Sequence, residues 1–583
     1  MQKEIKKKTQ RYGIAAVLLA ITLGTVCYVA LNPSELQQLF PPSQTSTLLK
    51  TFSSYEALRN FLVANSKTQG AFPFFSSRDV PNLAIKGFDL SEESGSQYST
   101  TNIQVAGVDE ADIVKTDGEY IYVISNGNVT ILRAYPPEDA EVLSKITFVD
   151  TFPVGIFVSG QRLTVLASRY ETLSGSWYSP YYINVKTTAF IYNIADRANP
   201  TLLENFTISG SYFSSRMIGD YVYFVVSQPA YIIYDTLILP KLYTEDGIKE
   251  INASEIRYSD ASDNYFVYTT FVAWNMQHPE EEPVHETILM GGTSTMYVSL
   301  NNIYVTFPES SSETTIYRIR VENSTLKGEA KGKVRGHELN QFSMDEYNDY
   351  FRIATTTWLD GISRSNVYVL DMNLSLVGQL ENIAVNENMD SARFIGNRCY
   401  LSTSVVRRDP FFVISIEDAS APKILGDLKI PGFTRYLHPY DDNHVIGVGI
   451  DGNNVKISLF DVTNVSAPIN MSQYVVEAYW SSTPVLTEHK AFLFDKAKEL
   501  MVMPVSKSAY DYWRGAYVFK IDLNNGITLR GSISHQDGGS YWDSRYDVER
   551  ALYIEDVLYT VSDAKIKLHN LEDLAFIKTI ELN

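Results

Sequence analysis

Only two cysteines occur in 583 residues, Cys27 and Cys399. Cys27 sits in an apolar run near the N-terminus, so a single thiol remains for the folded body and no intrachain disulfide holds it together. Cys399, in the strand-like run Arg398-Cys399-Tyr400-Leu401, reads as a small core residue rather than a nucleophile. Catalytic signatures are equally scarce: there is no G-x-S-x-G, no phosphate loop and no dinucleotide fingerprint. The eight histidines, at 278, 285, 337, 438, 444, 489, 535 and 569, make no H-x-x-x-H or H-E-x-x-H pattern, which removes the usual ground for a zinc hydrolase. Positive charge is also short. Lys and Arg number 49 against 68 Asp and Glu, a net charge of −19, and the basic first twelve residues leave the remainder more acidic still. Such a surface repels phosphate backbones, so nucleic acid is excluded as a partner.

What is abundant is apolar and aromatic. Hydrophobic residues make up 45%, with 39 tyrosines and 28 phenylalanines among many β-branched neighbours, a composition that favours strands and an all-β fold. Residues 1–12 read as a basic cytoplasmic tail, and residues 13–31, free of charge, as a transmembrane signal anchor with the rest of the chain outside; a cleaved signal peptide is the rival reading. Residues 32–102 read as a stalk rich in Pro, Ser, Thr and Gln that carries a short amphipathic helix over 53–65 and then an irregular connection. In that helix Ser53 and Glu56 form a capping-box pattern, and Tyr55, Leu58 and Leu62 share a face.

From 103 to 583 the pattern repeats. A turn residue (Gly, Asp or Asn) followed by an alternating strand occurs nine times, beginning at 117, 159, 218, 300, 346, 395, 441, 496 and 554. The strands that follow, such as 187–206, 410–428 and 455–474, share an apolar run, an acidic residue, a short loop with Pro and a further strand. Four strands per unit of about 35 to 75 residues predict propeller blades, eight or nine in number. The long third and eighth units, about 211–289 and 480–535, predict extra loops on the propeller faces.

The stretches 98–125, 210–230, 339–358, 392–414 and 425–449 together resemble the uncharacterised secreted or membrane-anchored β-propeller proteins of archaea and bacteria, distant relatives of WD-repeat propellers. The Asp-loop-Pro strands resemble LVIVD-type repeats. The resemblance implies a propeller fold and an extracytoplasmic location, and supplies neither a reaction nor catalytic residues. A local departure is the run Ser402 to Arg408, where relatives carry an aromatic strand and one basic residue. The boxes of sialidase-like propellers and the tryptophan-dock repeats of quinoprotein propellers do not occur.

Three groups of residues are candidates for function. Asp109, Glu110 and Asp112 offer oxygen ligands to a hard cation such as Ca²⁺, against the reading that they pair with basic residues. Arg216 and Arg393, each four residues before the Asp or Asn of a Gly turn, lie with Arg352, His438, Asn340 and Gln341 on or near innermost strands. They form either an anion-binding mouth or struts between blades, with Asp109, Asp112 or Asp390 as partners for Arg216 and Arg393. Seven N-x-S/T sequons, at Asn128, Asn205, Asn252, Asn323, Asn373, Asn464 and Asn470, are open to glycosylation if the chain is translocated.

The expected function is a membrane-anchored, extracellular, noncatalytic module that binds a cell-surface protein or glycan. The alternative is a hydrolase or lyase that works on a polymer from the channel mouth. Asp109 and Asp112 are expected to help close the ring between the first and last blades.

Overall fold

The computed structural model describes residues 49–65, 87–88, 97–172, 183–233, 235–244, 247–259, 266–310, 312–404, 408–509, 512–536 and 543–582. These residues form an all-β propeller. Nine sheets of four or more strands follow one another along the chain, six of them with four strands each. The first runs Val114–Thr116, Tyr120–Ser125, Asn128–Arg133 and Glu141–Ile146. The ninth runs Arg550–Ile554, Val557–Val561, Lys565–Asn570 and Phe576–Glu581. Each of the nine turn-plus-strand elements read from the sequence supplies the second strand of one sheet.

Alternation explains how the sheets stack. Successive side chains point to opposite faces, so each strand feeds two interfaces, one with the sheet before it and one with the sheet after. Ile121, Val123 and Leu132 of the first sheet share a core with Leu552, Tyr559 and Leu568 of the ninth. On the other side Tyr122, Val129 and Ile131 pack with Ile156 and Val165 of the second. Between the sixth and seventh sheets the rings of Phe411 and Phe460 stack at 4.7 Å. With each buried Val, Leu, Ile or Phe contributing about 1.5–3 kcal/mol, these interfaces are the main stabilising term. Because they link every sheet to the next and the ninth to the first, the ring is closed.

The Asp-loop-Pro strands have a packing role. Asp196 and Asp418 accept from the backbone N–H two residues on, as does Asn464 at the equivalent place, and each loop is drawn into a compact turn before its Pro. The turn at 418–422 lies against the outermost strand of the preceding sheet at Gly378, and the turn at 464–468 lies likewise at Gly426; a Cβ at either glycine would overlap the backbone of Ala419 or Val465. Glycine is needed there to let one sheet's turn touch the backbone of the next.

Among the described residues, the extra segments of the two long units are not all loops on the faces. Part of the third unit adds strands to sheet edges instead: Lys241–Thr244 and Gly247–Glu250 extend the second sheet, and Ile256–Tyr258 extends the third. In the eighth unit the innermost strand is split into Trp480–Ser482 and Leu493–Asp495, both paired with Leu500–Ser508. The 3-10 turns Pro484–Leu486 and His489–Ala491 lie between the two pieces.

The expectation of helices standing ahead of the propeller is corrected. The one helix of more than a single turn among the described residues, α1 (Tyr55–Asn65), belongs to the propeller body: Leu58 and Leu62 are fully buried in one core with Phe206, Phe224, Tyr268 and Leu289. Tyr55 fixes it further, its hydroxyl accepting from the N–H of Leu237 at 2.7 Å. Just before it, Lys50–Thr51 pairs with Ile256–Tyr258 on the outer edge of the third sheet. The segment 13–31 read as a transmembrane anchor lies outside the described residues, and among those described no helix is long and apolar enough to cross a membrane. Membrane anchoring, the cell-membrane location derived from it and attachment through an N-terminal helix are therefore not retained.

Candidate functional site

The stretch before the first sheet crosses the middle of the ring. The N–H of Ser99 donates to the carbonyl of Tyr553 in the ninth sheet at 2.9 Å. Asn102 Nδ2 donates to the carbonyls of His489 and Phe492, at 3.2 and 3.1 Å. Gln104 Nε2 reaches the carbonyls of Gln341 and Met344, both at 3.2 Å, and the two glutamine side chains are also bonded to each other. After a tight turn at Gly107, whose φ of +74° favours glycine, Val108–Glu110 pairs with Arg216–Ile218 of the third sheet. The N–H of Ile156 in the second sheet then donates to the carbonyl of Asp112 at 3.0 Å, and the chain enters the first sheet. Residues 97–112 are thus a plug tied to sheets on several sides of the ring.

The plug delivers Glu110 to the centre. Its carboxylate is 1% exposed and faces three chain segments. Oε1 accepts from the N–H of Gln104 at 3.0 Å, while Oε2 stands 3.5 Å from His489 Nε2 and 3.8 Å from the guanidinium of Arg216. Burial pushes the Glu110 carboxyl up to about 7, against the opposing pull of Arg216 and Lys490. Lys490 donates to the carbonyl of Ala111 at 2.9 Å, so the turn that carries His489 is fastened to the plug on both sides of Glu110.

The carboxylates singled out in the sequence separate. Asp109 pairs with Lys115 at 2.6 Å, Glu110 faces Arg216, and Asp112 pairs with Arg550 of the ninth sheet at 2.9 Å. Among the described residues no group of three His, Cys, Asp or Glu side chains is placed to hold a metal ion, and Asp109, Glu110 and Asp112, the candidate Ca²⁺ ligands, each face a different basic residue. Asp112 does serve ring closure; Asp109 acts locally.

The arginines divide as well. Arg216 donates to Ser214 Oγ, the carbonyl of Ser215 and Gln341 Oε1, at 3.1, 2.6 and 3.1 Å, and its counter-charge is Glu110 rather than Asp109, Asp112 or Asp390. Arg352 binds Asp345 on its own sheet and the carbonyl of Gly396 on the next, a strut between the fifth and sixth sheets. Arg393, at the position equivalent to Arg216, has no ion pair or hydrogen bond from its guanidinium among the described residues; the expected partner Asp390 is acted on by Arg435 instead. Asn340 caps the short turn Gln341–Ser343, accepting from the N–H of Phe342 at 2.9 Å. His438 is buried between Phe492 and Phe494, with Nδ1 2.9 Å from the hydroxyl of Tyr436.

Cys399 is buried and its thiol pushed up to about 12 by burial, so it is core and not nucleophile. Of the sequons, Asn205, Asn252, Asn323, Asn373 and Asn464 are exposed, and Asn128 and Asn470 are half-buried. Sequence reading missed His489 and Lys490. The signal was the interrupted strand pattern over 483–492, which departs from the repeat where these residues turn inward.

The chain is 26% identical to an uncharacterised protein of Archaeoglobus fulgidus, over 97% of this chain and 98% of that one. It is 28% identical to an uncharacterised protein of Methanocaldococcus jannaschii, over 87% of each. Among solved structures it is similar to the periplasmic gluconolactonase PpgL of Pseudomonas aeruginosa, with a TM-score of 0.34 at 8% identity over 54% of this chain and 91% of that one. A 6-phosphogluconolactonase candidate of Bacteroides uniformis gives 0.33 at 11% identity, over 56% and 95%. The membrane-anchored, noncatalytic module expected from the sequence is not retained: among the described residues no helix is long and apolar enough to cross a membrane. Residues 98–574 match the Beta propeller domain family, and the chain belongs to it.

Proposed function

We propose that this propeller is a hydrolase or lyase that acts on a polymer from the mouth of the ring's centre, with Glu110 as its acid–base group. The observation that carries this reading is the convergence on the Glu110 carboxylate of His489 at 3.5 Å and Arg216 at 3.8 Å, each from a different part of the chain. A carboxyl that titrates near neutrality is suited both to take a proton and to return it, and a neighbouring imidazole and guanidinium are suited to relay the proton and to balance developing negative charge. A static ring needs neither a carboxyl tuned in this way nor a strand interrupted to bring a histidine against it. We read the Asp196, Asp418 and Asn464 turns as the LVIVD-like and distantly WD-repeat-like part of the chain; their role is packing.

The test is turnover on a panel of neutral and acidic polysaccharides by reducing-end and unsaturated-product assays. Wild type is expected to degrade at least one polymer, and Glu110→Gln to lose at least about a hundredfold in rate while melting no lower than wild type. Equal rates for the two proteins, or no turnover across the panel, would reject the reading.

A further inference from the structure

Arg216, Arg352, Arg393 and Arg550 are all buried on or beside the innermost strands, and three of these four are fully engaged. Arg216 has Glu110, Gln341, Ser214 and the Ser215 carbonyl; Arg352 has Asp345 and the Gly396 carbonyl; Arg550 has Asp112, Glu488 and the Glu549 carbonyl. Arg393 is as deeply placed, 3% exposed on the innermost strand Asn388–Ile395, yet its Nε is enclosed without an acceptor and no carboxylate lies within ion-pair distance among the described residues. Among the described residues, the guanidinium lies over the face of the Phe342 ring, its carbon 5.2 Å from the ring centroid. Register makes the contrast sharper. Arg216 pairs across its hairpin with Tyr223, and Arg393 pairs with Tyr400 at the same place in the repeat. The repeat therefore puts the same cation at two points of the ring and supplies acceptors to one of them.

We propose that Arg393 is the anion-binding residue of a site at the ring's centre that takes a small sugar carboxylate. An ionised side chain left without partners in a protein interior is strongly unfavourable, and a ligand carboxylate would supply the missing charge and two parallel acceptors for the planar guanidinium. Burial pulls the Arg393 guanidinium down to about 10, against the opposing pull of the carboxylates of Asp345 and Glu110. A monoanion fits better than a phosphate dianion, because Asp345 and Glu110 already make the surroundings acidic. The flat side of the site is aromatic: Phe342 has Tyr436 at 6.5 Å and His489 at 6.0 Å, both edge to face, a surface suited to the face of a sugar ring. A carboxylate at Arg393 does not depend on turnover at Glu110 and goes beyond the proposed reaction.

The test uses the full chain and three probes: D-galacturonate, D-galactose as its neutral counterpart, and inorganic phosphate. Titration calorimetry and thermal melts are run on wild type, Arg393→Gln, Arg393→Lys and Glu110→Gln. Galacturonate is expected to bind wild type, to bind Glu110→Gln at least as tightly because a nearby negative charge is removed, to bind Arg393→Gln about tenfold or more weakly, and to bind Arg393→Lys at an intermediate level, with galactose inert. Ligand-free Arg393→Gln is expected to melt no lower than wild type, since no bond is lost. The proposal is overturned if galacturonate does not bind, if it binds Arg393→Gln as well as wild type, or if only phosphate binds. It is also overturned if ligand-free Arg393→Gln fails to fold or melts several degrees lower, which would make Arg393 a strut. Loss of galacturonate binding in Glu110→Gln alone would place the anion elsewhere and overturn it too.

Discussion

Asp112 Oδ1 lies 2.9 Å from the Nε of Arg550, although 438 residues separate them in the sequence. Both are buried, and among the described residues no strand is exchanged between the first and ninth sheets, so this pair helps the apolar contacts around Tyr559 to fasten the ring. Asp112→Asn leaves Arg550 buried with Glu488 at 3.7 Å and the neighbouring Glu549 as its remaining counter-charges. It is expected to cost about 3 kcal/mol in denaturant unfolding. Adding Arg550→Met to it should recover most of that loss. A single-variant cost under about 0.5 kcal/mol would show that the pair does not hold the closure.

The Glu110 carboxyl, raised from 4.5 to about 7, binds a proton in the folded state that the unfolded chain has already released between those values. The folded state holds more protons in that window, so stability falls as pH rises from about 4.5 to about 7 and then levels off. The contribution is on the order of 3 kcal/mol. Urea midpoints for wild type and Glu110→Gln should converge at pH 4.5 and separate by pH 8, with the variant the more stable. Parallel pH profiles would mean that Glu110 is not the titrating group.

Gly378 and Gly426 allow an Asp- or Asn-loop of the following sheet to touch their backbone. Alanine at either position forces that loop outward and is expected to cost roughly 1–3 kcal/mol, read from the guanidinium midpoint. Gly160 and Gly396, with open space around the Cβ position but positive φ, serve as controls in which only backbone strain is added. If all four alanine variants lose the same amount, close approach between sheets is not the cause.

Leu62→Ala in α1 should cost about 2–5 kcal/mol, because Leu62 lies in a core shared by the helix and the second and third sheets. Val63→Ala, one residue on and 44% exposed, should change little. A Leu62→Ala loss no larger than that of Val63→Ala would mean that the helix is a detachable appendage.

The period-2 alternation with Gly, Asn and Asp turns made the nine second strands legible, because that signal is local: each strand's two faces are buried by the sheets beside it. The Asp-loop-Pro turns were legible for the same reason. The centre of the ring was read less well. Glu110 was seen as one of three neighbouring carboxylates, and nothing in their spacing tells that Lys115, Arg216 and Arg550 take one each. His489 arrives by a strand interruption, and Arg393 differs from Arg216 only in what surrounds it. Glu110 and Asp112 find their partners 106 and 438 residues further along the chain, at distances that alternation does not encode.

The plug also fixes the order in which this chain can become native. Residues 97–112 leave the ribosome before every sheet they touch, and their anchors at Gln341, His489 and Tyr553 come 237, 387 and 454 residues later. Until the last sheet exists, Glu110 and Asp112 have at most part of their final surroundings, so the centre of the ring is completed only after that sheet has been made. The high sequence separation of those contacts makes the final step of folding slow and sensitive to C-terminal truncation, even for a chain whose individual sheets are local meanders.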